Sequence, residues 1–211
     1  MDALNKDLNS DAKSTLIRSA KVLFAQKGFD GVSVKEIADH AGVNISLISY
    51  HFGGKEGLYR TCLEQFGTER LASAERLLSE VASVEEFKTR LTIFVEDFIE
   101  QHAKEPEVTS IIHRECTSGH PVIDEIFTKF FMKQFKCLID FFESARAKKI
   151  LDPKVDVLVT VGTFFGSIIH ILRTAPLAEK HFGVSMSDPA FKKNFVTHII
   201  QNLLHGIQGG R

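Results

Sequence analysis

The chain has 211 residues, 44% of them hydrophobic and 25% charged, with a formal net charge of −1. That composition supports one large domain or two small ones around a sizeable core, and it excludes a globally basic protein, so any nucleic-acid surface must be a local patch. The three widely spaced cysteines, Cys62, Cys116 and Cys137, exclude a disulfide framework and fit a reducing cytoplasm.

Helical patterns joined by short breaks run from end to end and strand signals are scarce, which predicts an all-α fold. The polar stretch Met1 to Ser10 predicts no signal peptide. The first helix is predicted over 11–27, with Leu16, Ala20, Leu23 and Phe24 on one stripe beside Ile17. Gly28 follows as its left-handed C-terminal residue, with Phe29 folded back on the last turn. Ser33 to Glu36 reads as a capping box opening a short helix to about His40. Ala41-Gly42-Val43 breaks that helix. Asn44 is placed as the N-cap of another short helix over 45–51, which Gly53-Gly54 ends. A long helix is predicted over 55–80, joining a small domain, 1–54, to a larger one, 55–211, without a flexible linker.

Five further helices are expected near 84–104, 107–117, 121–147, 153–174 and 188–207, punctuated by Pro106, Gly119-His120-Pro121, Pro153 and Pro189. Residues 176–183 are expected to add at most one short helical turn. Fourteen of the eighteen Phe lie at or after Phe87, so composition shifts between the two parts. The stretch Val155 to Leu172 is the most apolar, but with Asp156 and His170 inside it is short for a membrane span and reads as a buried helix.

Residues 33–52 carry the sharpest signal. Two short helices joined by a glycine turn must pack closely. Ala38 supplies the small contact residue, and Ile37, Val43 and Ile48 bury the pair against the first helix. The second helix then presents Ile45, Ser46, Leu47, Ser49, Tyr50 and His51, none of them acidic, as a helix in a DNA major groove requires. From Ala12 to Arg60 there are seven Lys/Arg against four Asp/Glu, a mild local excess of positive charge.

The run from Ser33 to Val43, followed by Ile48 to Tyr59, resembles the signature of the TetR/AcrR family of transcriptional regulators. The resemblance is specific over about the first 65 residues; beyond them only helical layout and length match. It implies a repressor that binds a palindromic operator on double-stranded DNA as a homodimer, in the cytoplasm, with no cofactor and no membrane partner. It implies that Ser33 and Lys35 lie near the DNA backbone and that Asn44 and Ser46 reach base edges. It further implies that Tyr50, His51 and Lys55 touch phosphates. Ser49 stands where the family often has Tyr. Leu47 replaces a small polar residue and could pack on thymine methyl groups.

In the C-terminal part, Phe127, Phe131, Phe135 and Phe142 lie on one stripe with Leu138, and Phe130, Cys137 and Phe141 on a second. A helix apolar on both sides should be central. The candidate walls of a site for a small apolar or aromatic ligand are Phe94, Phe98, Phe127, Phe131 and Phe165, with His113, Arg114 and His170 as polar anchors. A packed core without an inducer is the alternative. Arg114-Glu115 reads either as a structural ion pair or as a ligand anchor. His113, Cys116 and His120 have the spacing of metal ligands on one helical face, but Gly119 and Pro121 end the helix too early, so no metal site is assigned. The apolar faces of 153–174, with Gly162-x-x-x-Gly166, and of 188–207 exceed what one chain can bury and predict the homodimer interface. No nucleophile elbow, phosphate loop, dinucleotide fingerprint or HExxH motif is present, and no enzyme is expected.

Overall fold

The structure, a computed structural model, describes residues 2–115 and 121–207, and side chains over 11–204 within those ranges. Ten α-helices and one π-helical segment occur among the described residues, with no strand. They are α1 Asp2–Lys27, α2 Val34–Ala41, α3 Ser46–Phe52, α4 Lys55–Leu77, α5 Val84–Lys104 and α6 Pro106–Glu115. The chain continues with α7 Pro121–Ile126, the π segment Phe127–Phe131, α8 Met132–Ala147, α9 Val157–Phe182 and α10 Pro189–Ile207.

Contacts divide the chain into two compact units, one formed by Met1–Glu69 with Glu105–Phe131 and the other by Arg70–Lys104 with Met132–Arg211. This is a different partition from the expected break after residue 54. The first turns of α4, with Leu58 and Tyr59 buried and Tyr59 against Phe24, and α6, which packs on α1, close the core of the short N-terminal helices, which are too small to bury their apolar faces alone.

In the first unit Leu16, Phe24, Ile37, Ala38, Ile48, Leu58 and Tyr59 are fully buried. The Phe24 ring meets Tyr59 edge-on at 4.8 Å, and Phe29 lies 4.9 Å from the same ring. The expected stripe of α1 is the buried one. Cys62 is sealed in this core, and burial pushes its thiol up to about 12, which leaves it inert as a nucleophile.

In the second unit Phe87 stacks on Phe141 at 4.8 Å and meets Phe142 edge-on at 5.1 Å. Arg70, nearly buried, donates to Asp97 at 2.7 Å, and Ser73 donates to the same oxygen at 2.8 Å. Burial raises the Asp97 pKa, but these hydrogen bonds outweigh it and hold the carboxyl below its ordinary range.

Three expectations for the C-terminal helices are corrected. The helix expected over 121–147 is continuous, but a π-helical segment, Phe127–Phe131, interrupts its α-helical geometry. Phe130 is buried, while Phe127, Phe131 and Phe135 of the expected stripe are all half-buried, the first two with rings 5.6 Å apart. Second, α9 runs through Pro176 to Phe182 and stops at Gly183, whose φ of 67° is left-handed, instead of ending near residue 174. One proline forfeits a single backbone bond, which the 26-residue helix absorbs. Third, α9 is not a buried helix: Leu158 and Val159 are 61% and 62% exposed. By length and composition α9 could cross a membrane, with a mean hydropathy of 1.5 over its most apolar window.

Candidate nucleic-acid interface

The capping box at the start of α2 is complete. Ser33 Oγ accepts from the Glu36 N–H at 3.1 Å, and Glu36 Oε2 accepts from the Ser33 N–H at 2.9 Å. Lys27 donates to the other Glu36 oxygen at 2.8 Å. Hydrogen bonds from the Lys27 side chain and then from Ser33 hold the Glu36 carboxyl at about 2, far below its ordinary range. The Ser33 hydroxyl thus already serves the cap. Lys35, one residue into α2, is exposed.

Gly42, with φ 66°, ends α2 and sends its N–H back to the Ala38 and Asp39 carbonyls. The expected cap on α3 differs in detail. Ile45, in helical conformation, holds the N-cap position without a side-chain bond. Asn44 sits one residue earlier, and its Oδ1 accepts from the Ser46 N–H at 2.9 Å and from the Ser46 hydroxyl at 2.8 Å. Because a backbone N–H only donates, the amide oxygen must face α3 and the Asn44 NH2 must point away.

Along α3, Ile48 is buried against the first unit's core, while Ile45, Ser46, Ser49 and Tyr50 are exposed. Tyr50 is 73% exposed and meets the His51 ring edge-on at 4.9 Å. Leu47 is half-buried, so Ile45 is the more prominent apolar side chain on this helix. His51 is half-buried with its Nε2 enclosed, so any contact with DNA through this ring falls to the other nitrogen. No acidic residue lies in α3.

Past α3, Gly53 and Gly54 take φ values of 71° and 126°, a turn open only to glycine, and deliver Lys55 to the start of α4. The Lys55 ammonium stands 4.3 Å from the centroid of the Phe29 ring. The Lys13 ammonium, from α1, stands 6.0 Å from the Phe52 ring at the end of α3. Neither Lys13, Phe29 nor Phe52 stood among the expected site residues. The composition of positions 11–27 carries no sign of the Lys13 contact, which depends on where α3 ends against α1.

The expected ligand-site residues do not gather in one unit. Phe94, Phe98, Phe165 and His170 belong to the second, and His113, Arg114, Phe127 and Phe131 to the first. Phe98 meets Phe165 edge-on at 5.1 Å and lies 4.2 Å from the His102 ring. His170 is exposed on α9. Arg114 donates to the carbonyls of Ala25 at 2.9 Å and Phe24 at 2.5 Å, and it pairs with the buried Glu115 at 3.2 Å. Its guanidinium is thus engaged in fastening α6 to the end of α1. Cys116 and His120 lie outside the described residues.

Within the second unit, a groove of about 580 Å³ runs between α9 and α10, lined by Val159, Thr163, Phe164, Ser167, Phe195 and Ile199 among others. Both Gly162 and Gly166 face open space, with nothing within 4 Å of an added Cβ.

Comparison with known proteins agrees with this geometry. Residues 16–62 match the family described as bacterial regulatory proteins, tetR family. The probable HTH-type transcriptional regulator YttP of Bacillus subtilis (strain 168) is 34% identical over 137 residues, 64% of this chain and 66% of that protein. The HTH-type transcriptional regulator RutR of Escherichia coli (strain K12) is 24% identical over 94% of this chain and 92% of its own length. Among solved structures, the transcriptional regulator FadR from Bacillus subtilis in complex with stearoyl-CoA superposes with a TM-score of 0.72. It is 16% identical, and the match covers 92% of this chain and 99% of that one, a likeness of fold.

Proposed function

The chain belongs to the tetR family of bacterial regulatory proteins, and we propose that it represses transcription in the cytoplasm by binding a palindromic operator as a homodimer. The observation that carries this reading is α3: a short helix exposing Ser46, Ser49 and Tyr50, free of acidic residues, beside a fully capped α2. Such a helix fits the major groove, while Lys35 and Lys55 supply sequence-independent attraction to phosphates. The half-sites of a palindrome require two α3 helices at fixed spacing, hence two protomers. The uncovered apolar residues Leu158 and Val159 and the groove between α9 and α10 support a partner seated there.

Selection of duplexes from a random pool, followed by titration in anisotropy, tests this. The expected result is an enriched palindrome with affinity falling steeply as salt rises. Recovery of no preferred sequence would refute it.

A small, mostly apolar effector completes the proposal. Phe94, Phe98, Phe135 and Phe165 supply apolar wall material in the second unit, and a fold relative was crystallised with stearoyl-CoA. A ligand favouring a conformer with α3 helices wrongly spaced lowers DNA affinity by its preference for that conformer; a tenfold loss needs about 1.4 kcal/mol. A thermal-shift screen of lipophilic compounds, with DNA titrations on each hit, tests this part separately. A screen without hits leaves a regulator controlled by its abundance.

A further inference from the structure

Cations of the first unit are held in different ways; Lys129, for one, both pairs with Glu64 at 2.9 Å and lies over the Phe130 ring at 4.9 Å. Lys21 pairs with Glu105 at 2.7 Å, Lys27 with Glu36 at 2.8 Å, and Arg60 with Glu125 at 2.7 Å, each charge answered by a carboxylate. Lys55 and Lys13 have no carboxylate partner among the described residues and stand instead over phenyl rings, at 4.3 Å from Phe29 and 6.0 Å from Phe52. The two pairs are linked along the chain: Phe52 closes α3, and the two-glycine turn carries the chain from it directly to Lys55. The Phe29 ring is itself fixed, lying 4.9 Å from the buried Tyr59 and 6.0 Å from Phe24.

A ring and a carboxylate differ in what they leave behind. A carboxylate orients an ammonium but cancels its charge, and a phosphate must then displace it. A phenyl face orients the ammonium through its quadrupole, carries no net charge, and costs nothing in repulsion when an anion approaches from the open side. It also removes side-chain freedom that a lysine would otherwise lose on binding.

We propose that Phe29 and Phe52 are positioning residues that hold Lys55 and Lys13 beside α3 as two preoriented, unneutralised phosphate contacts. This rests on the reading of α3 as the DNA-binding helix and adds Lys13 and both rings to that surface.

The test is DNA titration across a range of salt, on the selected palindrome and on an unrelated duplex. Lys55→Ala and Lys13→Ala should each flatten the log–log salt slope by about 2 for a dimer, one lost contact in each subunit. Phe29→Leu and Phe52→Leu keep the charge, so the slope should stay as in wild type. Affinity should nevertheless fall about two- to fivefold per subunit on both duplexes. Phe29→Tyr keeps the ring face and should restore binding, which guards against misfolding of the Leu variant. Phe29→Leu should add nothing to Lys55→Ala. Wild-type affinity in Phe29→Leu, or an equal loss from it with and without Lys55, overturns the assignment. Failure of the wild-type protein to bind either duplex overturns the DNA-binding reading itself, and this inference with it.

Discussion

Arg114 donates to the Phe24 carbonyl at 2.5 Å across 90 residues of sequence, so the end of α1 is held by the last turn of α6. The Gly28 N–H already reaches the Phe24 carbonyl at 3.0 Å, and the cationic fork adds a second donor there, serves the Ala25 carbonyl, and places positive charge favourably at the C-terminal end of the helix dipole. Arg114→Met should destabilise the first unit by about 1–2 kcal/mol, toward the low end for charged hydrogen bonds because the side chain is 38% exposed. Arg114→Lys should recover only part, since an ammonium cannot span two carbonyls as a fork does. Denaturant unfolding measures both, and an unchanged midpoint in Arg114→Met would show the contact to be idle.

Gly67 in α4 lies flat against Phe130, where an added Cβ would stand 2.8 Å from the ring's Cγ and 3.0 Å from the Phe130 Cβ. Those atoms are the rigid root of the side chain and cannot swing away. Gly67→Ala should therefore cost about 1 kcal/mol, an overpacking penalty partly offset by alanine's better helix propensity. Phe130→Ala removes the Cγ and Cδ2 that stand in the way, so Gly67→Ala should cost less in that background than in wild type. Thermal melts of the single and double variants decide between them.

Glu36 predicts a particular acid sensitivity. Its carboxyl is held at about 2, against 4.5 as its ordinary value, by Lys27 and Ser33. A depressed carboxylate stabilises the fold above pH 4.5, and that contribution drains away as pH falls toward 2. Glu36→Gln keeps an acceptor for the Ser33 N–H but removes the titration. Its stability should vary less than that of wild type over that window. Parallel acid-unfolding curves, followed by circular dichroism, would refute the linkage.

For the dimer, Gly162→Glu is the cleanest probe, because its side chain meets nothing within 4 Å in the protomer. Glutamate is also the better helix former, so the protomer's own fold should hold or strengthen. A charge in the apolar seam should instead yield monomers and abolish operator binding. Sedimentation at micromolar concentration gives the answer; a wild-type monomer there would rule out the proposed interface.

What the sequence determined by itself is local. The Ser33–Glu36 capping box, the left-handed glycines Gly28 and Gly42, the helix stop at Gly53, and the buried positions Ile37, Ala38 and Ile48 depend on neighbours a few residues away, so spacing sufficed to read them. The all-α class came from the same local periodicity. Tertiary structure alone decided the rest. The Phe-rich segment contains a π-helical stretch, which hydrophobic periodicity cannot register because it assumes unbroken α-helical geometry. The exposure of α9 rests on how much of its surface other helices reach. The roles of Arg114, Lys13 and Phe29 come from contacts made at long range or across a turn: Arg114 at the end of α1, Lys13 beside the last residue of α3, Phe29 beneath Lys55. A side chain's local spacing says which face it occupies, but its electrostatic partner is chosen by packing, which set Arg114 on the end of α1, Lys55 over Phe29 and Lys13 over Phe52.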